Sequence, residues 1–396
     1  MINYYKYFFL LKRYLQLFNR KFIFNTLINL LFLTSIVFCL SVIILTTSIN
    51  EGFKQGIQKK IINIDGHTRF YKKNNFPLDE SDYSILSKKI LDKYSDINIS
   101  KIISSQAILK TPNGSEGVLI NSIDSNGVDV FSLNNYIVSG SFNDKSIIIG
   151  SMLASKFSIK VNDSVFVINL NNNSVIPVNI SGIFRTNIPN YDKHTIYSNI
   201  DFFREFLGYN KKDFESLVVN TRNNEFIADD LIFTEDFDYY LITWKDRFSS
   251  FLLWLFSYDI PIRLLLLFIL IISILNIGSS IYLDILLNKR NNAILYILGL
   301  KNKDFKIIYL FKNLYIFFVG CLFSYFLIKI FIYAQLSYEI ISIPKQIYML
   351  NNISIDFNVT YFLYLILFLF ISVISISVFC VHFIFKFENP AKLVKK

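Results

Sequence analysis

Four long apolar segments flanking the polar stretch Asn50–Asp259 predict an integral membrane chain: four α-helical transmembrane segments plus a large extracytoplasmic α+β domain. Three observations carry this class. The 396 residues are 53% hydrophobic and 17% aromatic, more apolar than a soluble chain of this length needs for its core. The formal charge of +10 is unevenly placed: Asn50–Asp259 holds 22 basic and 25 acidic residues, leaving 18 basic and 5 acidic elsewhere. The positive excess therefore flanks the apolar runs, as in the cytoplasmic loops of a membrane protein, and is not a nucleic-acid patch. Each apolar run also has roughly the 20 residues that a helix needs to cross the hydrocarbon core.

The chain order follows from those runs. Residues 1–21 form a cytoplasmic segment in which Tyr4–Phe18 mixes Lys and Arg with Tyr, Phe and Leu, an amphipathic helix for the membrane surface. The first span is 22–49, too long for the apolar region of a cleaved signal and without a small-residue cleavage site after it. The polar domain covers 50–259, the second span 260–287, a cytoplasmic coupling loop 288–313 and the third span 314–333. A short outer loop, 334–358, leads to the fourth span, 359–385, and a cytoplasmic tail, 386–396. Lys6, Lys12, Arg13, Arg20 and Lys21 precede span one; Lys289, Arg290, Lys301, Lys303 and Lys306 separate spans two and three; Lys386, Lys392, Lys395 and Lys396 follow span four. The positive-inside rule then puts both termini and the middle loop in the cytoplasm of a plasma (inner) membrane.

Lys312 and Lys329 fall at the two ends of span three, and Arg263 and Asp284 near the ends of span two, where long side chains reach headgroups. No run of paired intramembrane carboxylates marks a proton- or sodium-coupled carrier. Gly278, Ser279 and Ser280 in span two, Gly320 and Ser324 in span three, and Ser372, Ser375 and Ser377 in span four are candidate close helix contacts.

Within the polar domain the segment after span one continues as helix, and alternating runs GVLINSI, KSIIIG, DSVFVINL and PVNISGIF read as strands. Ser81–Tyr94 and Asp201–Leu207 read as helices, giving an α+β domain. No catalytic signature is present. Asp192 and His194 are spaced as residues of a solvated loop, the histidines His67, His194 and His382 lack ligand spacing, and Cys39, Cys321 and Cys380 all lie in apolar runs where they pack as small hydrophobes. No catalytic, metal-binding or cofactor-binding residue is expected. No phosphate loop occurs, so ATP, if it drives this chain, binds to a partner subunit.

One helix, a large outer domain and three more helices resembles the FtsX/MacB-type ABC permeases. Residues extend the resemblance in order along the chain: SINEGFKQGIQKKIINIDGH after span one, then YIVSGSF, IIIGSMLASKFSIKVNDSVFVI and VNISGIFRTNIPNYDKHTIYSNIDFFREFLG. TWKDRFSSFLLWL, the run LLFILIISILNIGSSIYLDILLNKRNNAILYILGLKNKDFKIIYLF and the tail ENPAKLVKK complete it, all similar to the lipoprotein-releasing LolC/LolE family. The resemblance implies a non-catalytic permease subunit that extracts lipoprotein cargo, with a LolD-like ATPase, a second permease copy or paralogue, surrounding membrane lipids and a LolA-type chaperone as partners. It also implies that Arg290, Ala293, Ile294, Ile297 and Leu298 form the ATPase-coupling helix, with Gly299 ending it. Two departures stand out. Asn288 occupies the place where the family usually has an acidic residue before the basic pair, and Asn169–Pro177 is too short for the family's chaperone hook. The alternatives are a MacB-like exporter of small amphiphiles, although MacB carries its own nucleotide domain, an FtsX-like regulator of a cell-wall hydrolase, and an inert membrane scaffold.

Overall fold

The computed structural model describes residues 23–94, 97–170, 172–221, 238–340 and 355–387. The expected amphipathic helix within 1–21, most of the 334–358 loop and most of the tail lie outside these residues. The chain divides into two compact units: one built on the apolar helices, the other comprising Lys54–Phe256.

Among the described residues four helices are long and apolar enough to cross a membrane: Asn25–Asp65, Ser249–Leu287, Asn302–Tyr338 and Val359–Ile384. Each expected span falls on one of them, but three helices run well beyond the charge-free stretch. Helix α1 (Ile23–Asp65) continues past residue 50 as anticipated, and the span-three helix begins before and ends after 314–333. The physical reason is that lipid thickness limits only the apolar part of a helix. The backbone hydrogen bonds continue through Lys and Asp flanks that are themselves good helix formers or caps.

The second unit is a ten-stranded mixed sheet among the described residues. Its strands are β1 (Thr68–Lys72), β2 (Ile97–Thr111), β3 (Gly114–Ile123), β4 (Ile137–Gly140), β5 (Ser146–Gly150), β6 (Ser164–Asn169), β7 (Val175–Phe184), β8 (Thr195–Asn199), β9 (Ser216–Thr221) and β10 (Tyr239–Thr243). The pairings β2–β3, β3–β8, β8–β5, β5–β7, β7–β6 and β6–β2 close a six-stranded ring. Every ring strand contributes to one buried cluster: Ile103 and Leu109, Ile120, Ile147, Val167, Ile180 and Ile196 are fully buried in it. Strand alternation explains how, since Val165 and Val167 of β6 point inward while Phe166 between them is exposed. Beyond the ring, β9, β1 and β10 extend the sheet from the first half of β2. Helix α2 (Glu80–Lys93) starts at the expected place because Asp79 and Asp82 form a reciprocal capping box. Among the described residues six shorter helices follow, α3 (Gly127–Val130), α4 (Ser151–Phe157), α5 (Pro189–His194), α6 (Ile200–Phe203), α7 (Trp244–Arg247) and α8 (Ser249–Ser257), and the expected helix at Asp201–Leu207 shortens to α6.

Where α1 ends, Gly66 turns the chain at φ +78°, and a Cβ there would lie 2.3 Å from Val218. Only glycine fits this close, left-handed position. Asp65, the last helical residue, accepts from Arg69 Nη2 at 2.5 Å and from Arg247 Nε at 2.5 Å. Arg247 also donates to the carbonyls of Asp65, Gly66 and Ile242, and the hydroxyls of Tyr191 and Tyr197 donate to the carbonyl of Ile64. Carbonyls at the helix end, which have no partner within the helix, thus find side chains from later in the sequence.

Beside this cluster His67 is buried, and its pKa drops to about 4, first because burial disfavours the charged ring and then because Lys245 and Arg247 repel it. A folded-state pKa below the ordinary value means that the unfolded chain takes up the proton first. Stability contributed by neutral His67 is therefore present above about pH 6.5 and is lost as pH falls toward 4. His67→Gln should remove up to about 3 kcal/mol of that pH dependence. Melting curves of both proteins between pH 4 and 7 read it, and parallel pH profiles would refute it.

Candidate coupling site

The nine-residue helix α10 (Lys289–Ile297) follows α9 (Asp259–Leu287), the second apolar helix, after a single residue, Asn288. Gly299 adopts φ +96°; its N–H bonds to the carbonyl of Tyr296 at 3.0 Å and that of Leu300 to Leu295 at 3.1 Å. This is a Schellman stop, so Gly299 ends the helix through its left-handed backbone.

Along α10, Arg290, Ile294, Ile297 and Leu298 occupy positions i, i+4, i+7 and i+8, which share one helix face. Ile294 is 48% exposed, Ile297 59% and Leu298 73%. Ala293 departs from the expectation. It is 1% exposed and packs within its own chain, so it is a core residue rather than part of a docking face. Asn292, also buried, donates to Tyr309 Oη at 2.9 Å and fixes the helix to α11 (Asn302–Tyr338).

The base of α10 is anchored by a polar cluster missed in the linear reading. Lys312 Nζ donates to Asp284 Oδ1 at 2.6 Å, with Lys312 1% and Asp284 3% exposed. Neither residue is the interfacial side chain expected from its place near the end of a span. Asn288, the residue that departs from the family pattern, donates to the Asp284 carbonyl at 2.8 Å and accepts from Asn25 of α1 at 3.0 Å. One network thereby links the first three apolar helices. The only sequence signal was the presence of one opposite charge on each of two neighbouring spans. Lys329 and Arg263, in contrast, are exposed, and the Lys329 ammonium lies 4.8 Å from the centre of the Phe357 ring.

Several small residues stand where close contacts were expected. Ser41 and Ser324 hydroxyls are 3.2 Å apart, Asn313 donates to Ser377 at 3.0 Å, and a Cβ on Gly320 would come within 3.0 Å of Ile36. In the sheet unit, Asp192 is buried rather than solvated. It accepts from Thr186 and Asn187, and burial raises its carboxyl above the ordinary range despite those bonds. His194 is half-buried and contacts Glu116, not Asp192. The connection between β6 and β7 is a local turn, closed by Asn169 N–H to the Ser174 carbonyl at 3.0 Å and tied to Phe206 by Asn169 and Asn172.

Helices apolar and long enough to span a membrane, an α+β unit inserted after the first of them, and a short capped helix with an exposed apolar ridge are the architecture of a membrane permease. Comparison with known proteins agrees. A model of the MacB-like periplasmic core domain matches residues 30–228, half of the chain, and one of the FtsX-like permease C-terminal region matches 263–388. The chain belongs to the FtsX/MacB-type ABC permease family. The lipoprotein-releasing system transmembrane protein LolC of Buchnera aphidicola subsp. Schizaphis graminum is 24% identical over 369 residues, spanning 85% of this chain and 88% of that one. Solved structures with local similarity include the periplasmic region of MacB from Actinobacillus actinomycetemcomitans, at 17% identity and TM-score 0.35, covering 49% of this chain and 97% of that one. The extracellular domain of the YknZ transporter from Gram-positive bacteria gives 16% identity and TM-score 0.33, covering 45% and 99%.

Proposed function

We propose that this chain is the permease subunit of a transporter that extracts lipoproteins from the inner membrane, driven by ATP hydrolysis on a separate subunit. The observation that carries the reading is the match to LolC over 85% of this chain, long enough to take in apolar helices and the inserted domain together. Moving a triacylated anchor into water costs about 0.8 kcal/mol per CH₂, on the order of tens of kcal/mol for three chains, so release needs both an apolar path and an energy source. Both termini and α10 face the cytoplasm in this reading, supported by the charge split. The exposed ridge Ile294, Ile297 and Leu298 then docks on the ATPase, with Arg290 at its edge. The short β6–β7 turn leaves capture of a LolA-type chaperone to the paired permease.

The test is reconstitution with the ATPase in proteoliposomes carrying radiolabelled lipoprotein, where ATP should release the label. Release of no lipoprotein by a complex that still hydrolyses ATP would leave the hydrolase-regulator or exporter readings instead. Within that assay Ile297→Asp and Leu298→Asp should each reduce ATPase co-purification about tenfold or more, because a charge would be buried unpaired in the docked face. Membrane insertion should be unaffected. Ala293→Asp should instead lower the amount of folded chain, since that side chain is interior. Undiminished co-purification of both ridge variants would remove the docking assignment.

A further inference from the structure

We propose that Lys329, on an exposed face of α11, binds the phosphate of an anionic phospholipid, with the Tyr325 and Phe357 rings as its floor and the Tyr333 hydroxyl as a second donor. The inference goes beyond the permease reading and needs only that α11 crosses the membrane. A charge on a spanning helix is costly unless it finds a partner or reaches the headgroups. Lys329 lies four residues before Tyr333, the end of the expected span, about 6 Å along the helix axis. Its four-carbon stem therefore brings the ammonium to headgroup depth. Tyr325, Lys329 and Tyr333, at i, i+4 and i+8, share one face of α11, and all three are exposed.

The ammonium lies 4.8 Å from the centre of the Phe357 ring and 5.8 Å from that of Tyr325. Those rings are themselves held. Phe362, buried near the start of α12 (Val359–Phe387), has its ring centre 5.9 Å from Phe357 and 6.2 Å from Tyr325. The floor attracts a cation through the ring quadrupoles but leaves its three N–H donors free for stronger acceptors. Among the described residues the Lys329 ammonium makes no hydrogen bond or ion pair, and neither does the Tyr333 hydroxyl. Lys312, the other lysine on this helix's apolar stretch, is by contrast satisfied by Asp284. Unmet donors on a fixed cation at this depth are complementary to a phosphodiester, whose oxygens carry the full negative charge of the headgroup. In a zwitterionic lipid that charge already has an ammonium beside it. In an anionic lipid it does not, so the anionic headgroup is the better match.

The test uses the full chain in phosphatidylcholine nanodiscs that contain a minor share of phosphatidylglycerol. After extraction in mild detergent, native mass spectrometry counts the lipids that stay bound. The parent chain should retain phosphatidylglycerol above its share in the disc. Lys329→Ala should lower that retention about fivefold or more, and Lys329→Arg should keep most of it. Phe357→Leu should lower it about threefold by removing one ring of the floor, and Tyr333→Phe about twofold by removing one donor. Arg263→Ala removes an exposed cation that has no ring contact among the described residues, and should change nothing. Lys329 and Tyr333 are exposed, so their variants should yield as much folded chain as the parent. Equal retention by the parent and Lys329→Ala, or an equal loss with Arg263→Ala, would overturn the site. Displacement of the lipid by inorganic phosphate, or loss of a co-purifying protein in place of lipid on Lys329→Ala, would overturn the assignment to a phospholipid.

Discussion

Lys312→Met should destabilise the helix unit by about 3–5 kcal/mol, because it strands the buried Asp284 carboxylate, whose one ion-pair partner among the described residues is Lys312. Asp284→Asn should cost less than Lys312→Met only if the new amide is taken up by Asn288, whose side chain already lies 3.2 Å from Asp284 Oδ1. The double variant Asp284→Leu with Lys312→Met should recover most of the loss, since a pair of apolar side chains replaces a pair of charges without leaving either alone. Thermal unfolding in detergent, followed for the wild type, the single variants and the double variant, gives the coupling directly. Additive losses would mean that the two charges do not stabilise each other. Because the same cluster holds Asn288 at the base of α10, the single variants should also lose ATPase co-purification, and the double variant should regain only part of it. Asn288 would keep its bond to the backbone carbonyl of residue 284 but lose its acidic partner.

Arg247→Met is expected to have an effect of similar size on the sheet unit. It removes four hydrogen bonds, to the Asp65 carboxylate and to the carbonyls of Asp65, Gly66 and Ile242, and leaves a buried carboxylate with Arg69 alone. Bonds to charged groups contribute about 1.5–3 kcal/mol each, so a loss of about 3–5 kcal/mol is expected after relaxation. Arg247→Lys should recover little, because a single ammonium cannot reach a carboxylate and three separate carbonyls as a guanidinium fork does. Hydrogen exchange localises the effect: the amides of Gly66 and His67, bonded to the carbonyls of Ile62 and Val219, should lose protection before those of the ring strands. Uniform loss across the ring would show that Arg247 supports the whole domain rather than the end of α1.

Much of this arrangement was legible in the order of residues. Charge-free runs of sufficient length located the spans, since few other segments satisfy a bilayer. Alternation at Val165, Phe166 and Val167 announced a half-buried strand, and Gly299 announced the end of α10 because few residues other than glycine tolerate that backbone. The rotation of α10 was less legible. Its apolar residues Ala293, Ile294, Leu295, Ile297 and Leu298 encircle a short helix, so the pattern did not say which of them face inward. Tertiary packing settled it by burying Ala293 and Asn292, the latter bonded to Tyr309 of α11, and leaving Ile294, Ile297 and Leu298 outside.

Alone, the sequence determined the class: four apolar helices, a near-neutral inserted α+β domain, and the order in which they come, because hydropathy, charge and turn chemistry act over a few neighbouring residues. Only the tertiary structure decided that Asp284 and Lys312 form a buried pair, that Asp65 is clamped by Arg247 from 182 positions later, and that β6 closes a ring by joining β2 to β7. The physical reason is the same in each case. A charge or a strand edge records that it needs a partner, but which partner it finds depends on the packing of elements distant in the chain.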